Sequence, residues 1–161
     1  MCLASACIDR PVTSVEPDPS VEEETTFPVH LNRDLDLLFV IDNSRSMTPE
    51  QDSLAVNFYR LIDALESLPT GLPNLHIGVI STDMGAGESC NTNDGGRLQV
   101  TPRVAGCAPP GPEPYIVDIG GVRNYSGTLA DTFSCIARLG PNGCGFEQTL
   151  SSLRAALDGS V

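Results

Sequence analysis

Two short apolar runs separated by an amphipathic helix constrain this chain more than any other feature. The first, LDLLFVI, covers Leu35 to Ile41, and the second, LHIGVIST, covers Leu75 to Thr82. Both are nearly continuous in apolar residues, the pattern of strands covered on both faces. Between them TPEQ marks a helix start, with Thr48 as N-cap, Pro49 at the first helical position and Gln51 as reciprocal capping partner. Leu54, Phe58, Leu61, Ile62 and Leu65 recur at helical spacing, and Pro69 and Gly71 end the helix. Strand, helix and strand within roughly fifty residues make a βαβ unit, so the two strands are expected to be parallel and the fold class α/β.

The rest of the chain reads more coarsely. Met84 to Pro114 is loop, long enough to imply a function or a covalent staple. YIVDI, ending at Ile119, is a short third strand. Ser126 to Leu139 is a helix ended by Gly140, and Phe146 to Asp158 is another, with Phe146, Leu150, Leu153 and Leu157 on one face and Gly159 as its stop. Upstream, VEPDPSVEEETT is dominated by Pro and Glu and reads as a self-repelling, disordered linker. The domain division is therefore a leader over 1–30 and a folded portion over 31–161 with a stapled loop at 84–114.

Charge narrows the partners. The formal net charge is −12, and every basic residue is arginine. Such a surface repels phosphate backbones, which argues against nucleic acid. It suits a cation, or serves solubility alone. Aromatic residues are only 5% of the chain and Trp is absent, so an aliphatic core is expected.

The six cysteines are Cys2, Cys7, Cys90, Cys107, Cys135 and Cys144, and none forms a CxxC pair. Cys90 and Cys107 bracket a Gly-, Pro- and Asn-rich loop, and Cys135 and Cys144 bracket a Gly-Pro-Asn-Gly turn. Loops without their own core gain most from a staple, so Cys90–Cys107 and Cys135–Cys144 are the expected bridges, in an oxidising compartment. Four cysteines admit three pairings, and the other two stay open. No stretch is long and apolar enough to cross a bilayer. LASAC, residues 3–7, has the form of the end of a bacterial lipoprotein signal with Cys7 as the lipidated residue, the alternative being an ordinary disordered tail.

The chemistry concentrates in DNSRSM, Asp42 to Met47. Ligands of open α/β sheets bind beyond the carboxyl ends of the strands, where Asp42 falls, and a turn can bring Asp42, Ser44 and Ser46 to one place. One carboxylate with two hydroxyls suits a hard cation, Mg²⁺ first, then Mn²⁺ or Ca²⁺. The alternative is an Asx and Ser turn that only caps the following helix. Asp83, ending the second run, either assists an ion through water or forms the turn before Gly85.

A buried strand ending in Asp-x-Ser-x-Ser before a helix resembles the von Willebrand factor type A (VWA) domain with its metal-ion-dependent adhesion site. LLFVIDNSRSM carries the resemblance, and LHIGVISTDMG and FSCIARLGPNGCGFEQTL are similar to the extracytoplasmic, lipoprotein-like bacterial subset. The resemblance implies a Rossmann-like three-layer sandwich with a mainly parallel sheet, present incompletely, with further strands expected after Val161 and a signal before Met1. It implies Asp42, Ser44 and Ser46 as metal ligands. Where the family supplies a Thr, this chain has Phe146, and the neighbouring Glu147 is the candidate replacement. The implied function is a non-enzymatic, metal-dependent adhesion module at the cell envelope, as an outer-membrane lipoprotein or secreted, gripping a protein ligand through an acidic side chain. A membrane tether would run through an N-terminal lipid.

Hydrolase readings fare worse. A haloacid-dehalogenase-type phosphatase needs a second Asp two residues after the first, and a Lys; here that residue is Ser44 and the chain has no lysine. A Gly-x-Ser-x-Gly elbow and a GxxxxGK phosphate loop are both absent.

Overall fold

A computed structural model of the chain describes residues 14, 32–87 and 90–159. All its elements belong to one compact unit, Asn32–Val161. The leader, Cys2 and Cys7 with the lipidation reading, lie outside the described residues.

The elements run β1 (Asp34–Ile41), α1 (Thr48–Glu66), β2 (Asn74–Ser81), β3 (Ile116–Ile119), β4 (Val122–Arg123), α2 (Leu129–Ala137) and α3 (Thr149–Leu157). The βαβ unit forms as its pattern dictates: β1 and β2 are parallel neighbours, in register from Asp34 against Asn74 to Ile41 against Ser81. The four strands lie in the order β1-β2-β3-β4.

The sheet is mixed α/β in class but not mainly parallel. β2–β3 and β3–β4 are both antiparallel, with Leu75 opposite Asp118 and Ile119 opposite Val122. A parallel return needs a crossover to the far end of the sheet. The described residues of the stretch 82–115 form no helix to make one, and the chain re-enters the sheet opposite Ile77. β4 was not legible: it is two residues long, joined to β3 by Gly120 and Gly121, whose φ values of 58° and 84° suit the tight primed turns that match strand twist.

α1 and α2 cover the face of the sheet that carries Leu75, Ile77 and Val79, all fully buried. The core is mainly aliphatic, as composition leads one to expect, and its few aromatic rings gather together. Phe58 and Phe133 stack at 3.6 Å between centroids, and Phe39 lies 4.7 Å from Phe133. A low aromatic content does not prevent the few rings present from gathering where three elements meet. The stacked pair ties α1 to α2.

The last helix is shorter than its pattern. α3 begins at Thr149, Phe146 stays in the preceding loop 63% exposed, and Leu150 and Leu157 are 80% and 70% exposed. Leu153 of the same stripe is half-buried, so the stripe is only partly covered by the described residues. On that side, Asp36, Leu38, His76 and Gly78 of the sheet and Leu98 and Leu157 line a groove of about 640 Å³.

Candidate metal centre

The parallel pair ends together: Ile41 is opposite Ser81, and the Thr82 N–H donates to the Ile41 carbonyl at 3.1 Å. Past these ends lie Asp42 to Met47 from β1, Thr82 to Gly87 from β2, and the loop 141–148, whose Gln148 N–H donates to the Thr82 carbonyl at 3.0 Å.

Asp42 is half-buried, Ser44 buried and Ser46 exposed. One Asp42 oxygen accepts from the Ser44 N–H at 2.8 Å, an Asx turn. The Ser44 carbonyl accepts from Met47 N–H at 3.1 Å, closing a turn just before α1, whose first bond runs from Gln51 N–H to the Met47 carbonyl at 3.0 Å. The helix cap expected at Thr48 does not form. Met47 is the N-cap, and no side chain caps α1. The hydroxyls of Ser44 and Ser46 make no hydrogen bond with any described residue, nor does the other oxygen of Asp42. Among the described residues, one carboxylate oxygen and two hydroxyls of the kind a hard cation takes are therefore uncommitted.

Gln51 acts differently from its predicted capping role. It is 3% exposed, its amide donates to the Asp42 carbonyl at 2.7 Å and the Gly140 carbonyl at 3.3 Å, and its Oε1 accepts from the Gly140 N–H at 2.9 Å. It thereby fastens the end of β1 to the loop that follows α2.

Asp83 is 1% exposed. Its Oδ1 accepts from the Gly85 N–H at 2.9 Å, the turn role anticipated for it, but Oδ2 is buried with no partner. Two neighbours share this condition: Asn43 Oδ1 and Thr82 Oγ1 are also buried and unpaired. Buried polar atoms are nearly always paired, so three orphans at the ends of adjacent strands mark a place for water or an ion.

Asp94, which the sequence places only within the long loop from Met84 to Pro114, organises the other side of this cluster. Its Oδ2 accepts from Ser81 Oγ at 2.6 Å and Asn43 Nδ2 at 3.4 Å, and Arg103 pairs with it at 3.3 Å. Asn43, Ser81, Thr82 and Asp94 were missed by motif reading. The available signal was the polar run STD directly after the apolar body of β2. Glu147 lies in the same loop 141–148, is exposed and makes no hydrogen bond with a described residue.

The cysteines pair otherwise than expected. The bridges are Cys90–Cys144 and Cys107–Cys135, not Cys90–Cys107 and Cys135–Cys144. Proximity in sequence misled because both staples join separate elements. Cys90–Cys144 ties the loop after β2 to the loop before α3, and Cys107–Cys135 ties the long loop to α2. Two disulfides fit an oxidising, extracytoplasmic setting, and no described helix is long and apolar enough to cross a membrane. The carboxylate of Asp83 and the sulfurs of Cys90 and Cys144 lie within 4.8 Å of one another.

No family model matches this chain, no curated protein is significantly similar to it, and no solved structure matches it.

Proposed function

We propose that the chain is a divalent-cation-dependent protein-binding module of the VWA kind, acting at the cell envelope, and that it binds rather than catalyses. The observation that carries this reading is the state of Ser44 and Ser46. If the Asp-x-Ser-x-Ser turn served only as a helix cap, a serine hydroxyl would be spent on the N-terminus of α1, and neither is.

In this reading Asp42 supplies the single negative charge, buried Ser44 a fixed neutral oxygen and exposed Ser46 an oxygen at the rim. A bound Mg²⁺, or Mn²⁺ or Ca²⁺, would supply a positive charge that one carboxylate leaves partly unbalanced, so an acidic side chain of a partner protein could replace a water on it. Gln51 holds the Asp42 backbone from below through a hydrogen bond of 2.7 Å. The antiparallel β3 and β4 belong to the same reading as one edge of a three-layer sandwich. An envelope address, with Cys7 as lipid attachment point, is supported by the disulfides and by an acidic, Pro-rich leader suited to act as a tether.

Isothermal titration with Mg²⁺ and Mn²⁺ on wild type and Asp42→Ala tests the site. Saturable binding that disappears in Asp42→Ala supports it. Binding that survives the substitution, or no binding to wild type, leaves a structural envelope domain as the reading.

A further inference from the structure

The Cys90–Cys144 bridge differs from its counterpart in what surrounds it. Asp83 lies within 4.8 Å of both sulfurs with a buried oxygen that has no partner. Thr92 adds two more oxygens: its carbonyl lies 3.4 Å from each sulfur and its hydroxyl 3.6 Å from each. Among the described residues, Cys107–Cys135 has no third carboxylate, imidazole or thiol in that range. Cys90, Cys144 and Thr92 also line a cleft of about 500 Å³ beside Arg45, with Cys90 partly exposed and Cys144 buried.

We propose that reduction of Cys90–Cys144 converts these sulfurs and Asp83 into a binding site for a zinc-type ion, with Thr92 or a water as fourth donor. The donor set is two soft sulfurs and a carboxylate, which selects Zn²⁺ over Mg²⁺. Spacing agrees: an ion with Zn–S near 2.3 Å and Zn–O near 2.0 Å holds its tetrahedral donors roughly 3.5–3.8 Å apart. An Asp83 carboxylate oxygen starts within 4.8 Å of each sulfur, and the two sulfurs, bonded in the disulfide, must move apart on reduction to reach that spacing. Asp83 also has an oxygen, Oδ2, that is buried without a partner and so is free to serve as a ligand. A disulfide carries no hydrogen to offer that oxygen, whereas an ion between the separated sulfurs satisfies it.

The chemistry balances with a dithiol reductant. Its two thiols deliver two electrons and two protons to the S–S bond, giving two cysteine thiols and the reductant's own disulfide. Zn²⁺ then binds both sulfurs as thiolates and releases two protons to solvent. The same pair would thus staple two loops when oxidised and hold a metal when reduced. Asp42 is not part of this set, so the magnesium titration and this proposal stand or fall separately.

The test uses the full chain with Cys2→Ser and Cys7→Ser, reduced with a dithiol, desalted without oxygen and titrated with Co²⁺ and then Zn²⁺. The expected result is one ion per chain, with a thiolate-to-cobalt charge-transfer band and the intense visible bands of tetrahedral cobalt. Zn²⁺ should displace it, and the oxidised chain should show none of this. Asp83→Asn should weaken the affinity by about tenfold or more, while Cys107→Ser with Cys135→Ser should leave the spectrum unchanged. No charge-transfer band, or equal affinity in Asp83→Asn, overturns the proposal. Should a variant fail to fold, alkylation of reduced wild type mapped by mass spectrometry decides the matter. Zn²⁺ should shield Cys90 and Cys144 but not Cys107 and Cys135, and uniform labelling refutes the site.

Discussion

The backbone N–H of Gly143 donates to the Asn43 carbonyl at 2.8 Å, and the Gly143 Cα rests on the Asn43 side-chain amide so closely that a Cβ at 143 would collide with it. This contact presses the loop before α3 onto the end of β1. Asn43 is 1% exposed and cannot swing away. Gly143→Ala should therefore act as an overpacking change and destabilise by about 1–3 kcal/mol. Urea denaturation of the oxidised protein would show it as a lower midpoint at unchanged slope, and a midpoint equal to wild type would contradict this packing.

Gln51 reaches three backbone groups belonging to Asp42 and Gly140. Gln51→Leu keeps roughly the same volume but strands all three. Each buried group left without a partner costs about 1–3 kcal/mol, and partial hydration of the loop should hold the total near 2–4 kcal/mol. On the proposed reading of the Asp42 turn, the same variant should weaken Mg²⁺ binding, because Asp42 loses the support beneath it. Loss of stability with full Mg²⁺ affinity would separate the clamp from the site.

The two staples close spans of 54 and 28 residues. Chain-entropy arithmetic gives about 4 kcal/mol for Cys90–Cys144 and about 3.5 kcal/mol for Cys107–Cys135. Replacing each pair by serine, in separate double variants, should lower stability by amounts of that order. A mass map of the non-reduced digest should recover the 90–144 and 107–135 cross-links. Recovery of 90–107 would overturn the pairing.

Tyr125 donates to Asp118 at 2.5 Å, and Asp118 is buried. Desolvation first, then this hydrogen bond and the charge of Asp118, raise the phenol from its ordinary value to about 12. A raised folded-state pKa means stability that is complete below about pH 10, the unfolded value, and lost as pH climbs towards 12. Tyrosinate absorbance should show one tyrosine titrating late, and Tyr125→Phe should remove both that step and the alkaline loss of stability. An ordinary titration for all three tyrosines would refute the environment.

Much of the fold was legible because it follows from local rules. An apolar run of seven residues, a helix with apolar spacing and a Pro-Gly stop sufficed for β1, α1 and β2, with strand bounds within a residue of those observed. The position of Asp42, Ser44 and Ser46 past the end of β1 followed from the same pattern. The uncapped state of the serines did not, since a serine at a helix start forms a cap or stays free depending on backbone geometry that sequence spacing does not encode. Leu150 and Leu157 obeyed helical spacing yet stand exposed, because periodicity marks an apolar side without supplying its cover.

By itself the sequence determined what short-range forces decide: which segments are strands or helices, that β1 and β2 run parallel around α1, and that an oxygen-rich turn follows β1. The tertiary structure alone decided which cysteines meet, that β3 returns antiparallel, that Gln51 clamps rather than caps, and that Asp83, Asn43 and Thr82 are sealed from water with unpaired oxygens. These depend on contacts between residues far apart in the chain, where loop closure costs little more for one pairing than another. Packing of the whole core then chooses among them.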